Sequence, residues 1–289
     1  MFSHLHKALP LHAIFMENSF QYLNYLTDTI TKTTRHLHEK QLTSIQYFSI
    51  GLLERFSKSA ISLKLLLTNL EDQKALEYSV GIILRSSILD TLIVYNFYKL
   101  LLEAEDGNRT QTEKEDVIKP FCDLVLSDGL SHTLKYVKMA NQMNVISNES
   151  LLHVYQNLTT NLSSFFEKYE NDGLEPILIH KKSLNPTSLF RTIASTPSMK
   201  DYTAIYDLYL FFSKYDHYGI MYFELSKQSF EEKMSRINAA IELLIAPCAM
   251  LHMALKIYSP EDALLTEQCN ISAKYLHDHI YLPLLEKDL

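Results

Sequence analysis

Residues 42–70 read LTSIQYFSIGLLERFSKSAISLKLLLTNL. Phe48, Leu52, Phe56 and Leu63 recur at one- and two-turn intervals, which places them on one face of an α-helix. The same three- and four-residue recurrence of apolar residues runs through almost all of the 289-residue chain. That periodicity is the mark of amphipathic helices. With 6 Gly and 8 Pro, the chain lacks the turn residues a strand-rich fold requires. All-β, collagen-like and Gly- or Pro-rich classes are thereby excluded. The pattern predicts one all-α domain, a multi-helix bundle of about eight helices.

The predicted helices cover residues 17–39, 42–70, 72–104 with Asp72 as N-cap, 113–141 and 148–170. Pro120 falls near the start of the fourth or at a kink in it. A long irregular stretch follows at 171–199, carrying Gly173, Pro176, Pro186 and Pro197. Loops of this length often serve as lids or hold a short helix, here expected over 188–195. The sixth helix runs from 201 to a stop at Gly219, and the seventh over 229–258. Ser259-Pro260-Glu261 opens the eighth. The third, sixth and seventh helices are expected to form the centre. No internal repeat or composition shift divides the chain.

The balance of 27 Lys+Arg against 34 Asp+Glu leaves a formal charge of −7, so the surface as a whole does not attract phosphate backbones. A local basic pocket remains open to it. Three widely spaced cysteines, Cys122, Cys248 and Cys269, predict free thiols and a reducing, cytoplasmic setting. The first twenty residues lack the apolar core and cleavage site of a secretory signal. Segments 80–102 and 237–258 approach membrane character, yet each carries charged residues, among them Arg85 and Asp90 in the first and Glu242 and Lys256 in the second. They are expected to be buried core helices, with no membrane span.

Motif tests remove several chemistries. No Glu has His three residues later, the spacing that points two ligands of a di-metal bundle at one ion. Glu149 and His153 lie four apart without a matching second pair. His4/His6, His36/His38 and His277/His279 are each two apart, so on a helix their rings point in different directions and are expected to be solvated or capping. There is no P-loop, GxGxxG, GxSxG or HExxH. Neither a metal nor a cofactor is expected.

Three features stand out against the amphipathic background. Arg85 and Asp90 sit in the apolar run 80–94, where a charge requires a partner or a wet cavity. Five residues place them about 140° apart around a helix, too far to pair well with each other, and Ser86 is the nearer neighbour of Asp90. They serve structural ion pairs with other helices, or Arg85 lines a pocket and holds an anion in its planar fork. The second feature is Tyr206, Tyr209, Ser213 and His217, a stripe of hydrogen-bonding tips on one helix face, with His217 suited to moving a proton. Its alternative is a satisfied core network. The third is Lys181, Lys182 and Arg191 in the long loop, either solvated or a basic lid over phosphate.

An Arg within a long apolar helix, then the segment Ser188-Leu-Phe-Arg-Thr-Ile-Ala194, then Tyr209, Ser213 and His217 at four-residue spacing, resembles a family of uncharacterised bacterial helical proteins related to the HEPN (higher eukaryotes and prokaryotes nucleotide-binding) superfamily. The likeness covers residues 74–225 as a HEPN-like core, flanked by N-terminal helices over 1–73 and C-terminal helices over 226–289. It implies a helical bundle, a homodimer and, from the nuclease branch, metal-independent RNA cleavage in a defence or toxin setting. That branch carries a His four to six residues after its Arg on the same helix. No Arg here does, since Arg35 precedes His36 and His38 too closely, so Arg85 and His217 have to converge from different helices.

Three functions follow as expectations. In the first, Arg85, His217 and Ser213 act on a phosphate-containing ligand or RNA, with Asp90, Tyr206, Tyr209, Lys181, Lys182 and Arg191 around it. The second is a non-catalytic interaction or dimerisation module whose polar residues serve structure. The third is a small-ligand sensor gated by residues 171–199.

Overall fold

The computed structural model describes residues 11–38, 40–70, 73, 75–105, 109–167, 175–179, 184–197, 204–216 and 227–281. Among them the fold is all-α: α1 (Leu11–Leu37), α2 (Ser44–Thr68), α3 (Leu76–Glu105), α4 (Gln111–Gln142), α5 (Asn148–Asn161), α6 (Pro186–Ala194), α7 (Ala204–Ser213), α8 (Phe230–Glu242), α9 (Ile245–Ile257) and α10 (Ala263–Leu276). Extended pairing among these residues is limited to one antiparallel bridge, Phe166 with Leu178. The chain divides into two compact units, Met1–Leu102 with Phe190–Leu289, and Glu103–Leu189.

In the first unit α1 packs on α2, α8, α9 and α10, while α9 also meets α2 and α10. The α2 periodicity is realised as predicted, with Phe48, Leu52, Phe56 and Leu63 all buried. From α3, Leu84, Ile88, Leu92 and Phe97 enter the core, and the Phe97 ring lies 5.1 Å from that of Phe48. Helix starts are secured by side chains. Thr43 with Gln46, and Ser229 with Glu232, form capping boxes on α2 and α8, each satisfying amide groups that a helix start leaves open.

The second unit is smaller. Its core joins Leu130 and Leu134 of α4 to Tyr155 of α5 and to the bridged pair Phe166 and Leu178. The helix expected over 148–170 stops at Asn161 and passes into a short 3-10 turn, Ser163–Phe165. That turn delivers Phe166 to the bridge.

The largest departure from the predicted helices lies at 229–258, where one helix was expected and two are found. Pro247 is the cause: its ring excludes the carbonyl of Leu243, four residues back, and it lacks the N–H that would bond there. The chain breaks at Leu243-Leu244 and restarts as α9. The start of α10 also differs from the Ser259-Pro260-Glu261 expectation, because Asp262 is its N-cap and accepts from the Leu264 and Leu265 amides.

Gly81 decides how α7 is held. A Cβ there would lie 2.5 Å from the Tyr215 ring, so the absence of a side chain lets that ring lie against the α3 backbone. The Tyr215 hydroxyl then donates to Glu77 Oε1 at 2.9 Å, and Lys233 of α8 meets the same carboxylate at 3.0 Å. Gly81→Ala is expected to cost about 2 kcal/mol by overpacking, more than the roughly 1 kcal/mol that alanine returns in helix propensity. Urea unfolding of the variant beside Tyr215→Leu and the double substitution checks this, since the clash disappears once the ring is gone.

By length and composition, Leu76–Glu105 and the segment Phe230–Ile257 are apolar enough to cross a membrane. In the fold, 72% and 67% of their most apolar windows are buried, as core helices of a folded bundle are.

Candidate functional site

Arg85 projects from α3 toward α7, and its guanidinium carbon lies 5.8 Å from the centre of the Tyr209 ring. A cation at that distance over an aromatic face is drawn to the ring's negative quadrupole. One turn earlier on α7, Tyr206 lies nearly parallel to Tyr209, with ring centres 6.1 Å apart and planes 16° apart. On its other side Tyr206 stacks on Phe190 of α6, at 4.1 Å and 14°. Three helices thus contribute to a single ladder, Arg85–Tyr209–Tyr206–Phe190, whose members are all half-buried. Arg191, beside Phe190 in sequence, is exposed.

The ladder unites three of the residues singled out in the sequence and leaves others apart. Ser213 belongs to α7, but its hydroxyl donates to the Leu210 carbonyl at 2.7 Å, a local bond typical of serine on a helix. His217, Lys181 and Lys182 lie outside the described residues. Asp90 is engaged by Arg55 of α2, not by Ser86. Arg55 Nε donates to Oδ2 at 2.9 Å, and Nη2 lies 2.8 Å from Oδ1, close enough for an ion pair but out of line for a hydrogen bond. Burial raises the Asp90 carboxyl pKa above its ordinary value, and Arg55 offsets this in part. Of the two readings of the α3 charges, Asp90 therefore follows the structural one.

Phe190 and Arg55 were not among the candidates. Phe190 is visible in hindsight as an aromatic on the short, strongly amphipathic α6. Arg55 sits in α2 with no local signal that it reaches α3, since pairing across helices depends on their packing.

Two further polar clusters have clear structural roles. His252 is wholly buried, with Nε2 2.8 Å from Thr33 Oγ1 and Nδ1 2.9 Å from Ser272 Oγ. The Thr33 hydroxyl donates to the Thr29 carbonyl at 3.2 Å, so it accepts from Nε2–H, and Nδ1 of the neutral ring accepts from the Ser272 hydroxyl. Burial lowers the His252 pKa to about 4. The serine–histidine pairing resembles a nucleophile with its base, yet it is closed to substrate and ties α1, α9 and α10 together.

One turn further along, at the C-terminal end of α1, His36 and Lys40 converge on Asp262, at 2.8 and 2.6 Å. Burial would raise the Asp262 pKa, but hydrogen bonds from Lys40, His36 and the Leu265 amide outweigh it and hold the carboxyl well below the usual range. His36 accordingly serves an inter-helix contact and not a His-x-His chelate. No group of three or more His, Cys, Asp or Glu side chains suited to a metal occurs among the described residues.

Comparison of the chain with family models, with curated proteins and with solved structures finds no match in any of the three. The class the molecule itself defines is an all-α, two-unit helical protein with an arginine-ended aromatic ladder.

Proposed function

We propose that this is a cytoplasmic protein that binds RNA, or another phosphate-containing ligand with planar rings, at the Arg85–Tyr209–Tyr206–Phe190 ladder. The observation that carries the reading is the placement of a guanidinium at the end of a run of near-parallel rings. Aromatic faces accept bases irrespective of sequence, and a guanidinium fork matches phosphate oxygens. Arg191, exposed beside Phe190, supplies further positive charge on a chain that is acidic overall. The HEPN resemblance adds metal-independent cleavage of the phosphodiester, in which His217 moves the proton.

The test is a labelled mixed RNA pool incubated with the full chain without added metal, beside Arg85→Ala, Tyr209→Ala and His217→Ala. Each base–aromatic stack is worth about 1–3 kcal/mol, so Tyr209→Ala is expected to weaken binding about tenfold or more. Arg85→Ala weakens it and reduces its salt dependence. Shortened products made by the parent and lost in folded His217→Ala would establish the cleavage step. Binding that is absent, or unchanged in folded Arg85→Ala, would sink the reading. The non-catalytic helical module or homodimer would then take its place, a reading favoured by the use of Asp90, Glu77 and Tyr215 in packing.

A further inference from the structure

The outward face of α2 carries a pattern of its own. Tyr47, Gly51, Glu54, Lys58, Ile61 and Leu65 recur at spacings of four, three, four, three and four residues. At 3.6 residues per turn, all six stay within about 40° of one line along the helix. This alternation is the one by which a helix lies along another helix. All six residues are exposed, Tyr47, Ile61 and Leu65 by 68%, 53% and 68%. Gly51 stands in mid-helix, where glycine is poorly suited. A Cβ there would meet nothing within 4 Å, so no contact inside the protomer requires its absence.

The charged side chains of α2 are Glu54, Arg55, Lys58 and Lys64. Arg55 and Lys64 flank the stripe, the first paired with Asp90 and the second donating to Asn24 Oδ1. Glu54 and Lys58 lie on the stripe, 3.5 Å apart and 49% and 77% exposed. Their order makes the stripe symmetric about position 56. Laid against itself in the opposite direction, it sets Tyr47 on Leu65, Gly51 on Ile61 and Glu54 on Lys58, because the members of each pair are equidistant from that position. Each carboxylate then meets an ammonium of the other copy, and each Ile61 fills the open space over Gly51. A parallel pairing would instead set Glu54 on Glu54 and Lys58 on Lys58, like charge against like.

We propose that α2 pairs antiparallel with α2 of a second copy of the chain, about a two-fold axis beside position 56. Such an interface is isologous: one patch serves both copies, and it closes at two. The charge complementarity of the stripe with its own reverse, and with no other orientation of itself, commits it to that occupant. Each copy brings six seam residues, against about 20–30 a side in a standard interface, so the dimer is weak and forms with rising concentration. The seam lies on a different helix from every member of the ladder. It stands whether or not RNA binds there.

The experiment is sedimentation of the full chain from about 1 to 300 μM, with dissociation constants compared among charge variants. The parent is expected to pass from monomer to dimer across this range. Glu54→Lys alone and Lys58→Glu alone should each weaken the dimer about tenfold or more, because every seam charge then faces its like. The double reversal Glu54→Lys/Lys58→Glu should restore it. An equimolar mixture of the two single variants should pair as well, which also verifies that both are folded. Gly51→Leu should weaken the dimer without lowering the thermal midpoint of the dilute protein, since leucine suits a helix better than glycine does. The proposal is overturned if the parent stays monomeric throughout. It is equally overturned if a dimer forms that neither single reversal disperses, or if the double reversal and the mixture both fail to pair.

Discussion

Lowering the pH from 7 to 4 is expected to remove about 3 kcal/mol of stability through His252 alone. Its ring has a pKa of about 4 in the fold and about 6.5 in the unfolded chain. In the interval between, the unfolded state binds the proton that the folded state refuses, so stability falls as the pH falls. The contribution is complete above the unfolded value and declines through the window down to the folded one. Each unit of difference is worth about 1.4 kcal/mol, which sets the size. Urea unfolding from pH 7.5 to 4 should follow this slope. His252→Leu should be less stable at pH 7, because the Ser272 and Thr33 hydroxyls lose their partner, yet it should be much less sensitive to acid. An equal slope in parent and variant would place the acid sensitivity elsewhere. Asp262, whose carboxyl is held below its usual range, contributes stability that is lost only at lower pH and does not confuse the measurement.

Arg55→Ala is expected to cost about 3 kcal/mol at pH 7, the order found when one partner of a buried ion pair is removed. The two ends of this pair are unequal: the Asp90 side chain is 3% exposed and that of Arg55 58% exposed. Without Arg55, a carboxylate remains inside the helix bundle with its principal counter-charge gone. Without the charge on Asp90, the guanidinium simply takes up water. Asp90→Asn is therefore expected to change stability by less than about 1 kcal/mol. The pH dependence has a definite sign. Burial already raises the Asp90 pKa and Arg55 opposes it, so the variant carboxyl protonates at a higher pH than the parent's. The stability difference between parent and Arg55→Ala should be greatest near neutrality and shrink as the pH falls. Equal losses in Arg55→Ala and Asp90→Asn would show that the pair's geometry, and not the buried charge, is what the fold requires.

Helical class was legible at the level of residue spacing, and the reason is local. A face such as Phe48, Leu52, Phe56 and Leu63 is specified by positions within two or three turns of one another, and capping residues act within a single turn. Even the split between α8 and α9 had a local signal in Pro247, whose effect on the carbonyl four residues back requires no knowledge of neighbours. The short helix in the irregular stretch was anticipated over 188–195 and is found at Pro186–Ala194, for the same reason.

The polar residues behaved otherwise. Arg85 and Asp90 looked equivalent in the sequence, two charges in one apolar run. Packing separates their fates: Asp90 meets Arg55 from α2, while Arg85 comes to the face of Tyr209. The Tyr206–Tyr209 stripe could be read from helix periodicity, but Phe190, which completes the ladder, comes from another helix. Gly81 has no distinguishing signal along α3, and its role comes from the Tyr215 ring that lies against it. Backbone propensity and amphipathic spacing act over a few residues and so can be read in one dimension. An ion pair, a ring stack or a close backbone approach exists only between segments that folding has brought together, and no spacing along the chain encodes which segments those are.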